Sequence, residues 1–214
     1  MTKPHDPAAT GRGTAAAAGR GAFYLGDDRC RFRVWASLRD RVDLHLVAPH
    51  ARVVPLARND LWYFEAIVDG VPPGARYLYR LDGGDERPDP ASRSQPAGVH
   101  GLSEVVVPDF AWTDRHWHGL PLDRYVVYEL HVGTFTPEGT FDGVIPCLDE
   151  LVELGVTAVE LMPAAQFAGA RGWGYDGVYP FAPQASYGGP GRVEATGRRL
   201  PRPRSGSRTR SGCG

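Results

Sequence analysis

The sequence predicts an antiparallel β-sandwich followed by one strand–helix–strand unit whose two strands are parallel. Three observations support this prediction. Short alternating strands separated by turn residues fill residues 22–107, the hydrophobic period changes after Val126, and an Arg-rich stretch without a strand pattern follows Pro190. With 214 residues and an ordinary apolar fraction, the chain has room for one or two domains.

Composition limits the function classes. Residues 1–21 are small and polar and lack the apolar core of a secretory signal, so we expect a disordered tail and a cytoplasmic protein. Residues 191–214 carry seven Arg and one Glu, and since the net charge is −1, residues 1–190 carry about −7. This acidic body argues against nucleic acid as a partner. No apolar run approaches the roughly 18 residues of a membrane span. The three cysteines are scattered and form neither a metal-ligand pattern nor a disulfide framework, so we predict no metal site. We also expect no cofactor.

Residues 22–107 are predicted to form the sandwich, which by itself is most often a structural scaffold. In the segments RFRVW and VDLHLV, apolar and polar residues alternate, so Phe32, Val34, Val42, Leu44 and Leu46 should face a core. Turn residues separate the segments. The predicted strands are Arg31–Trp35, Val42–Val47, Val53–Leu56, Leu61–Val68, Tyr77–Leu81 and Glu104–Val107.

A connector and a strand–helix–strand unit are predicted after the sandwich. Residues 108–124 should be extended and link the two parts. From Val126 the segment VVYELHV is nearly continuous apolar, as expected for a strand covered on both faces. Thr140 can cap the helix that follows, and Gly155 can end it in a left-handed conformation. Val156–Leu161 then forms the second parallel strand.

Candidate functional residues follow the two parallel strands, because ligand-binding groups in such folds lie at the carboxyl ends of strands. Aromatic rings suit the apolar faces of sugars, and carboxylates suit their hydroxyl groups. Carboxylates on the predicted helix (Asp142, Asp149, Glu150, Glu153) are assigned to its solvated face, and Glu129 and Glu160 to structural roles. The strand ends and the loop after them carry His131, Met162 to Gln166, Trp173, Tyr175, Asp176, Tyr179 and Phe181.

Several segments together resemble the opening of the α-amylase superfamily barrel, and most closely the malto-oligosyltrehalose trehalohydrolase family. The resemblance covers roughly residues 22–190. It implies an immunoglobulin-like, early-set sandwich followed by the first β-α-β unit of a truncated (β/α)8 barrel at residues 125–190. The segments are PDPASRSQPAGVHGLSEVV, ELHVGTFTPEGTF, GVTAVELMPAAQF, GWGYDGVYPFAP and SYGGP.

The resemblance also implies an activity and a set of residues. The family is a glycosidase that cleaves the α-1,4-glucosidic bond next to the terminal trehalose of maltooligosyl trehalose. Tyr175 matches the family tyrosine that stacks on the sugar beside the cleaved bond, Trp173 and Asp176 match its neighbours, and His131 matches a first-strand histidine. The family's catalytic carboxylates lie on strands four, five and seven, so no catalytic residue is assigned and we expect this chain to be inactive.

The Arg-rich stretch has an explanation at the level of the gene. The codons allowed for residues 193–201, shifted by one base, permit Leu-Lys-Arg-Leu-Val-Asp-Ala-Cys-His. That string resembles the helix that follows SYGGP in this family. We therefore expect residues 191–214 to be a non-native tail that arises from out-of-frame translation, which sequencing of the gene would test.

Other interpretations remain open at this stage. The chain is alternatively a non-catalytic α-glucan-binding module, although the sequence shows no obvious pair of exposed tryptophans in the sandwich. It is alternatively a fragment of a branching or debranching enzyme, or a product without function. An Arg-rich tail can also bind nucleic acid or an acidic partner.

Overall fold

The computed structural model describes residues 19–107, 110–115 and 117–199, which fall into two compact units. The first unit comprises residues 19–93 and 102–107, and the second comprises residues 94–101 and the described residues from 110 onward. Residues 94–101 were predicted as part of the sandwich but group with the second unit. The predictions for residues 1–18 and 200–214 fall outside the described residues.

The first unit consists of two antiparallel sheets. Its strands are β1 (Gly21–Gly26), β2 (Arg29–Trp35), β3 (Val42–Ala48), β4 (Arg52–Pro55), β5 (Ala57–Arg58), β6 (Tyr63–Asp69), β7 (Arg76–Leu81), β8 (Glu86–Arg87) and β9 (Ser103–Glu104). One sheet has the order β1-β2-β6-β5. The other has the order β4-β3-β7-β8, and β9 also pairs with β7.

A single apolar cluster lies between these sheets. Phe32 and Phe64 from one sheet share it with Leu44, Tyr77 and Tyr79 from the other. The rings of Phe32 and Tyr77 meet edge to face with centres 4.9 Å apart. Full burial stabilises each such side chain by roughly 1.5–3 kcal/mol. The predicted all-β sandwich is confirmed, and so is the predicted core face, since Phe32, Val34, Val42, Leu44 and Leu46 are all buried.

A buried carboxylate, Asp89, lies beside this cluster. The Tyr77 hydroxyl donates to Asp89 Oδ2 at 2.7 Å, and the Ala91 backbone N–H donates to Oδ1 at 2.8 Å. Burial raises the pKa of Asp89 from 3.8 to about 6, although the Tyr77 hydrogen bond acts in the opposite direction. In the folded sandwich this residue therefore takes up a proton at a higher pH than a free aspartate does.

The strand predictions differ from the structure at their ends and in the shortest elements. The six predicted strands correspond to β2, β3, β4, β6, β7 and β9, and each boundary agrees with the prediction to within three residues. Strands β1, β5 and β8 were not predicted. β5 and β8 have two residues each and therefore show no period, and the β1 segment GAFYLG both starts and ends with glycine.

Among its described residues, the second unit contains a parallel strand pair, three α-helices and two short 3-10 helices (Leu122–Arg124 and Ala185–Tyr187). Strands β10 (Val127–Leu130) and β11 (Ala158–Leu161) pair in parallel, with Leu130 opposite Leu161. Between them lie helices α1 (Val132–Phe135) and α2 (Phe141–Glu153). A short antiparallel pair, β12 (Ala165–Gln166) and β13 (Tyr179–Pro183), follows, and then helix α3 (Pro190–Arg199).

Helix α2 begins and ends as the sequence predicts. The Gly143 N–H donates to Thr140 Oγ1 at 3.2 Å, which satisfies one of the free donors of the first turn. Gly155 follows the helix with φ of +96°, a conformation that only glycine adopts without strain. The helix packs its apolar side into a second cluster with Leu130 and Val156, using Phe141, Val144, Leu148 and Leu151.

Helix α3 was not predicted, because its Arg-rich sequence shows no clear apolar period. Val193 packs against the second cluster, and Thr196 is buried. Arg192 lies 3.3 Å from Asp142 of α2, in an exposed ion pair. Residues 190–199 thus pack on the second unit. None of the helices in the described residues has the length and apolar character needed to cross a membrane.

Candidate functional site

The candidate site lies at the carboxyl ends of β10 and β11. Because these strands are parallel and Leu130 lies opposite Leu161, the residues that follow them emerge at one edge. The Met162 N–H donates to the Leu130 carbonyl oxygen at 2.9 Å, which extends the pairing beyond β11. His131 therefore lies beside the start of the chain segment that leads into the aromatic loop, as the sequence predicts.

His131 contacts that loop directly. Its Nε2 atom lies 2.8 Å from the Gly172 carbonyl oxygen and 3.2 Å from the Tyr187 hydroxyl. Its Nδ1 atom lies 3.1 Å from Thr134 Oγ1. The imidazole also meets the Trp173 ring edge to face, with ring centres 5.7 Å apart. The half-buried His131, which follows β10, is thus hydrogen-bonded to a residue 41 positions later in the chain.

Two buried glutamines bind backbone groups at the start of the β12–β13 loop (residues 167–178) and just after β13. Gln184 Oε1 accepts from the Phe167 N–H at 2.9 Å, and its amide group donates to the Gly169 carbonyl oxygen at 2.9 Å. Gln166 Oε1 accepts from the Ala185 N–H at 2.8 Å. These amides satisfy backbone groups that no sheet ladder reaches, so they hold the start of the loop and the segment after β13 in place. No local pattern in the sequence indicates this role, because it requires the fold to bring the two glutamines to either side of the loop.

The backbone of the loop passes close to the end of β11. Gly174 has φ of +86°, and a Cβ atom there would overlap the Pro163 carbonyl oxygen. Only glycine therefore fits this position. Beneath the loop, Tyr187 is buried, and its ring meets Phe141 and Phe167 edge to face at 6.1 and 5.9 Å. Burial also raises the pKa of the Tyr187 hydroxyl.

The predicted sugar-binding residues lie exposed on this supported loop. Trp173 and Tyr175 are 68% and 72% exposed, and Asp176 is also exposed. Such exposure is unusual for large aromatic side chains that only pack in a core. The structure thus brings Trp173 next to His131 and places Tyr175 and Asp176 beyond it on the same loop.

The other predicted aromatic residues have different roles. Tyr179 is buried, and its hydroxyl donates to the Val99 carbonyl oxygen at 2.8 Å, so this ring is structural. Phe181 is exposed and borders a shallow, mostly apolar depression of about 170 Å³. The depression is lined by Ala164, Ala165, Pro180, Phe181, Ala182, Pro183 and Val193.

The carboxylates of α2 and of the two parallel strands are exposed. Asp142, Asp149, Glu150 and Glu153 are exposed along α2, which confirms their assignment to its solvated side. Glu129 and Glu160 are register partners on β10 and β11, and both are exposed.

Comparison with known proteins identifies relatives of both units. A family profile described as Carbohydrate-binding module 48 (Isoamylase N-terminal domain) matches residues 20–96. Malto-oligosyltrehalose trehalohydrolase from Saccharolobus solfataricus is 50% identical over 168 residues, which is 78% of this chain and 30% of that protein. The enzyme of the same name from Deinococcus radiodurans is 48% identical over 75% of this chain and 26% of its own length.

Solved structures agree in fold. A crystal structure of a candidate alpha amylase from Salmonella typhimurium is 44% identical, with a TM-score of 0.76 over 85% of this chain and 32% of that one. A Group B Streptococcus pullulanase in complex with maltotetraose shares the fold at 21% identity, with a TM-score of 0.67 over 79% of this chain and 29% of its own. The chain spans about 30% of the length of the curated relatives it matches. The resemblance found in the sequence is therefore confirmed, and the relatives are glycoside hydrolases of the α-amylase family.

Proposed function

We propose that this chain is part of a malto-oligosyltrehalose trehalohydrolase and comprises its sandwich and the first two strands of a (β/α)8 barrel. The chain is similar to these enzymes over about three quarters of its length. The enzyme would cleave the α-1,4-glucosidic bond next to the terminal trehalose of maltooligosyl trehalose. The single observation that carries this proposal is the 50% identity over 168 residues. We place the protein in the cytoplasm, without a cofactor and without a nucleic acid or membrane partner.

The geometry of the candidate site supports an α-glucan as ligand. Trp173 and Tyr175 offer exposed aromatic faces, which suit the C–H faces of glucose rings. Asp176 lies beside them and can accept hydrogen bonds from sugar hydroxyl groups. The loop that carries all three is held at its start by Gln184 and further along by the contact of His131 with Gly172, so little ordering is needed on binding.

Hydrolysis requires more than these residues. A retaining glycosidase needs a nucleophilic carboxylate and a carboxylic acid about 5 Å apart. By resemblance, these groups belong to barrel strands four, five and seven, whereas β10 and β11 correspond to strands one and two. We therefore propose that the 214-residue chain binds α-glucan but does not hydrolyse it alone.

A binding assay and an activity assay on the purified chain test the proposal. In calorimetry with maltoheptaose, we expect Trp173→Ala and Tyr175→Ala each to weaken affinity by roughly three- to tenfold. Val178→Ala removes an exposed apolar side chain from the same loop and serves as the matched control. Unchanged affinity in both aromatic variants would contradict the assigned site. Release of trehalose from maltotriosyl trehalose by this chain would contradict its lack of hydrolysis.

A second candidate function is glucan binding by the sandwich. The sequence analysis found no obvious pair of exposed tryptophans there, and this expectation is wrong. Trp35 and Trp62 are 54% and 44% exposed. The Trp62 carbonyl oxygen accepts from the Ala36 N–H at 3.1 Å, and the Arg58 guanidinium lies 4.7 Å from the Trp62 ring centre. The β2–β6 pairing therefore brings two residues that are distant in sequence to one end of the first sheet.

Tryptophan variants separate the two candidates. If the sandwich binds the glucan, Trp35→Ala and Trp62→Ala will weaken maltoheptaose binding while Trp173→Ala will not. If the loop binds it, the opposite pattern is expected. Equal losses in all three variants would indicate two binding sites on the chain, which a calorimetric stoichiometry above one would verify.

A further inference from the structure

The proton on the His131 ring is fixed by its surroundings. The Gly172 carbonyl oxygen, 2.8 Å from Nε2, can only accept a hydrogen bond, so Nε2 must carry a hydrogen. Nδ1 then lies 3.1 Å from the Thr134 hydroxyl, which can donate to it. The Gly172 carbonyl oxygen thus sets the direction of the Nε2 hydrogen bond, while the Thr134 and Tyr187 hydroxyls, which can donate or accept, complete the polar contacts of the ring.

This ring supports the loop where the aromatic residues begin. Gly172 precedes Trp173 directly, and the Trp173 indole meets the imidazole edge to face, with ring centres 5.7 Å apart. Two residues later, the backbone at Gly174 lies against Pro163. The segment 172–174 is therefore held at one end by the residue after β10 and at the other by a residue after β11. The two glutamines act outside this segment, on residues 167, 169 and 185.

We infer that His131 is a positioning residue for α-glucan binding, which sets the backbone of residues 172–174 and the orientation of the Trp173 ring through its Nε2–H. It does not touch the sugar itself, because its ring is half-buried beneath Trp173 and its polar atoms already have partners. This inference rests on the proposed function for the role of the loop. The fixed loop conformation does not depend on that function.

Two amide variants of the same chemistry test the inference. In His131→Gln the side-chain nitrogen reaches nearly the position of Nε2, whereas in His131→Asn it reaches only that of Nδ1. Hydrogen–deuterium exchange of the full chain measures the opening of residues 172–176. We expect exchange there to be about tenfold faster in His131→Asn and within about threefold of the wild type in His131→Gln. The Trp173 near-ultraviolet circular dichroism, taken as the difference from Trp173→Phe, should weaken in the same order.

Maltoheptaose affinity then separates this inference from the proposed function. If the wild type binds, His131→Asn should bind about five- to tenfold more weakly and His131→Gln should recover most of the loss. If the wild type does not bind but exchange follows the expected order, the proposed function fails and the role of His131 in fixing the loop stands. Equal exchange in both variants and the wild type overturns the inference, as does equal acceleration in both variants, which would indicate a general loss of packing.

Discussion

The substitution Gly174→Ala tests how closely the β12–β13 loop must approach the end of β11. The backbone at Gly174 has φ of +86°, and the added Cβ would overlap the Pro163 carbonyl oxygen and lie 2.8 Å from its carbonyl carbon. Gly169 offers a matched control on the same loop. Its φ is +82°, but no heavy atom lies within 4 Å of an added Cβ.

The difference between these two variants isolates the steric contact. An alanine in the left-handed region costs about 1–2 kcal/mol relative to glycine, and this term is common to both sites. Overpacking against Pro163 adds about 1–3 kcal/mol at Gly174 alone. The free energy that holds the loop closed should therefore fall by about 2–5 kcal/mol in Gly174→Ala and by about 1–2 kcal/mol in Gly169→Ala.

Hydrogen–deuterium exchange of residues 162–176 measures this free energy locally, without requiring the two units to unfold together. The extra 1–3 kcal/mol corresponds to exchange that is about 5- to 150-fold faster in Gly174→Ala than in Gly169→Ala. Maltoheptaose affinity should fall in the same order. If both variants exchange at the same rate, the loop does not depend on the Pro163 contact and the reasoning is refuted.

Three further substitutions test the packing and the electrostatics of the two units. The pKa of Asp89 is about 6 in the folded protein, whereas its ordinary value is 3.8. The contribution of Asp89 to the free energy of unfolding is therefore fully present below about pH 4 and is lost as the pH rises through 6. In the wild type, the free energy of unfolding measured with urea should fall by about 3 kcal/mol over this pH range, and in Asp89→Asn this fall should be absent. An unchanged pH profile in the variant would contradict this. Thr140→Ala should destabilise the second unit by about 1 kcal/mol, measured by thermal unfolding against Thr140→Ser, which keeps the cap. Phe167→Ala should destabilise the same unit by about 3–5 kcal/mol, because Phe167 is fully buried against Tyr187; a loss below 1 kcal/mol would show that this cluster is not a core.

Local rules predicted those parts of the fold that depend on a few consecutive residues. The alternation in RFRVW and VDLHLV placed Phe32 and Leu44 in the core, and the Thr140 cap and Gly155 defined the ends of α2. The same rules failed for β5 and β8, where two residues form a strand only because a neighbouring strand provides the partners. Helix α3 was also not predicted, because few apolar side chains contribute to its contact with α2 and the segment therefore shows no clear apolar period.

The candidate site was predicted only in part. Its aromatic residues are visible as a local cluster in the sequence, and the carboxyl-end rule indicated where they would lie. Their support was not visible, because His131 and Gly172 are 41 residues apart and the contact is made through one carbonyl oxygen. Trp35 and Trp62 were missed likewise, since the β2–β6 register has to be known before Trp35 can be placed opposite Tyr63.

The hydrogen bonds of Gln166 and Gln184 have a consequence for how the proposed sugar specificity of this loop can diverge among related proteins. Gln166 and Gln184 bind backbone groups at residues 167, 169 and 185, none of which carries an aromatic ring that reaches solvent. The residues that hold the hairpin together are therefore different from the residues whose rings are exposed. If the exposed rings bind sugar as proposed, substitutions of these rings can change which oligosaccharide is bound while the hydrogen bonds of the two glutamines stay intact.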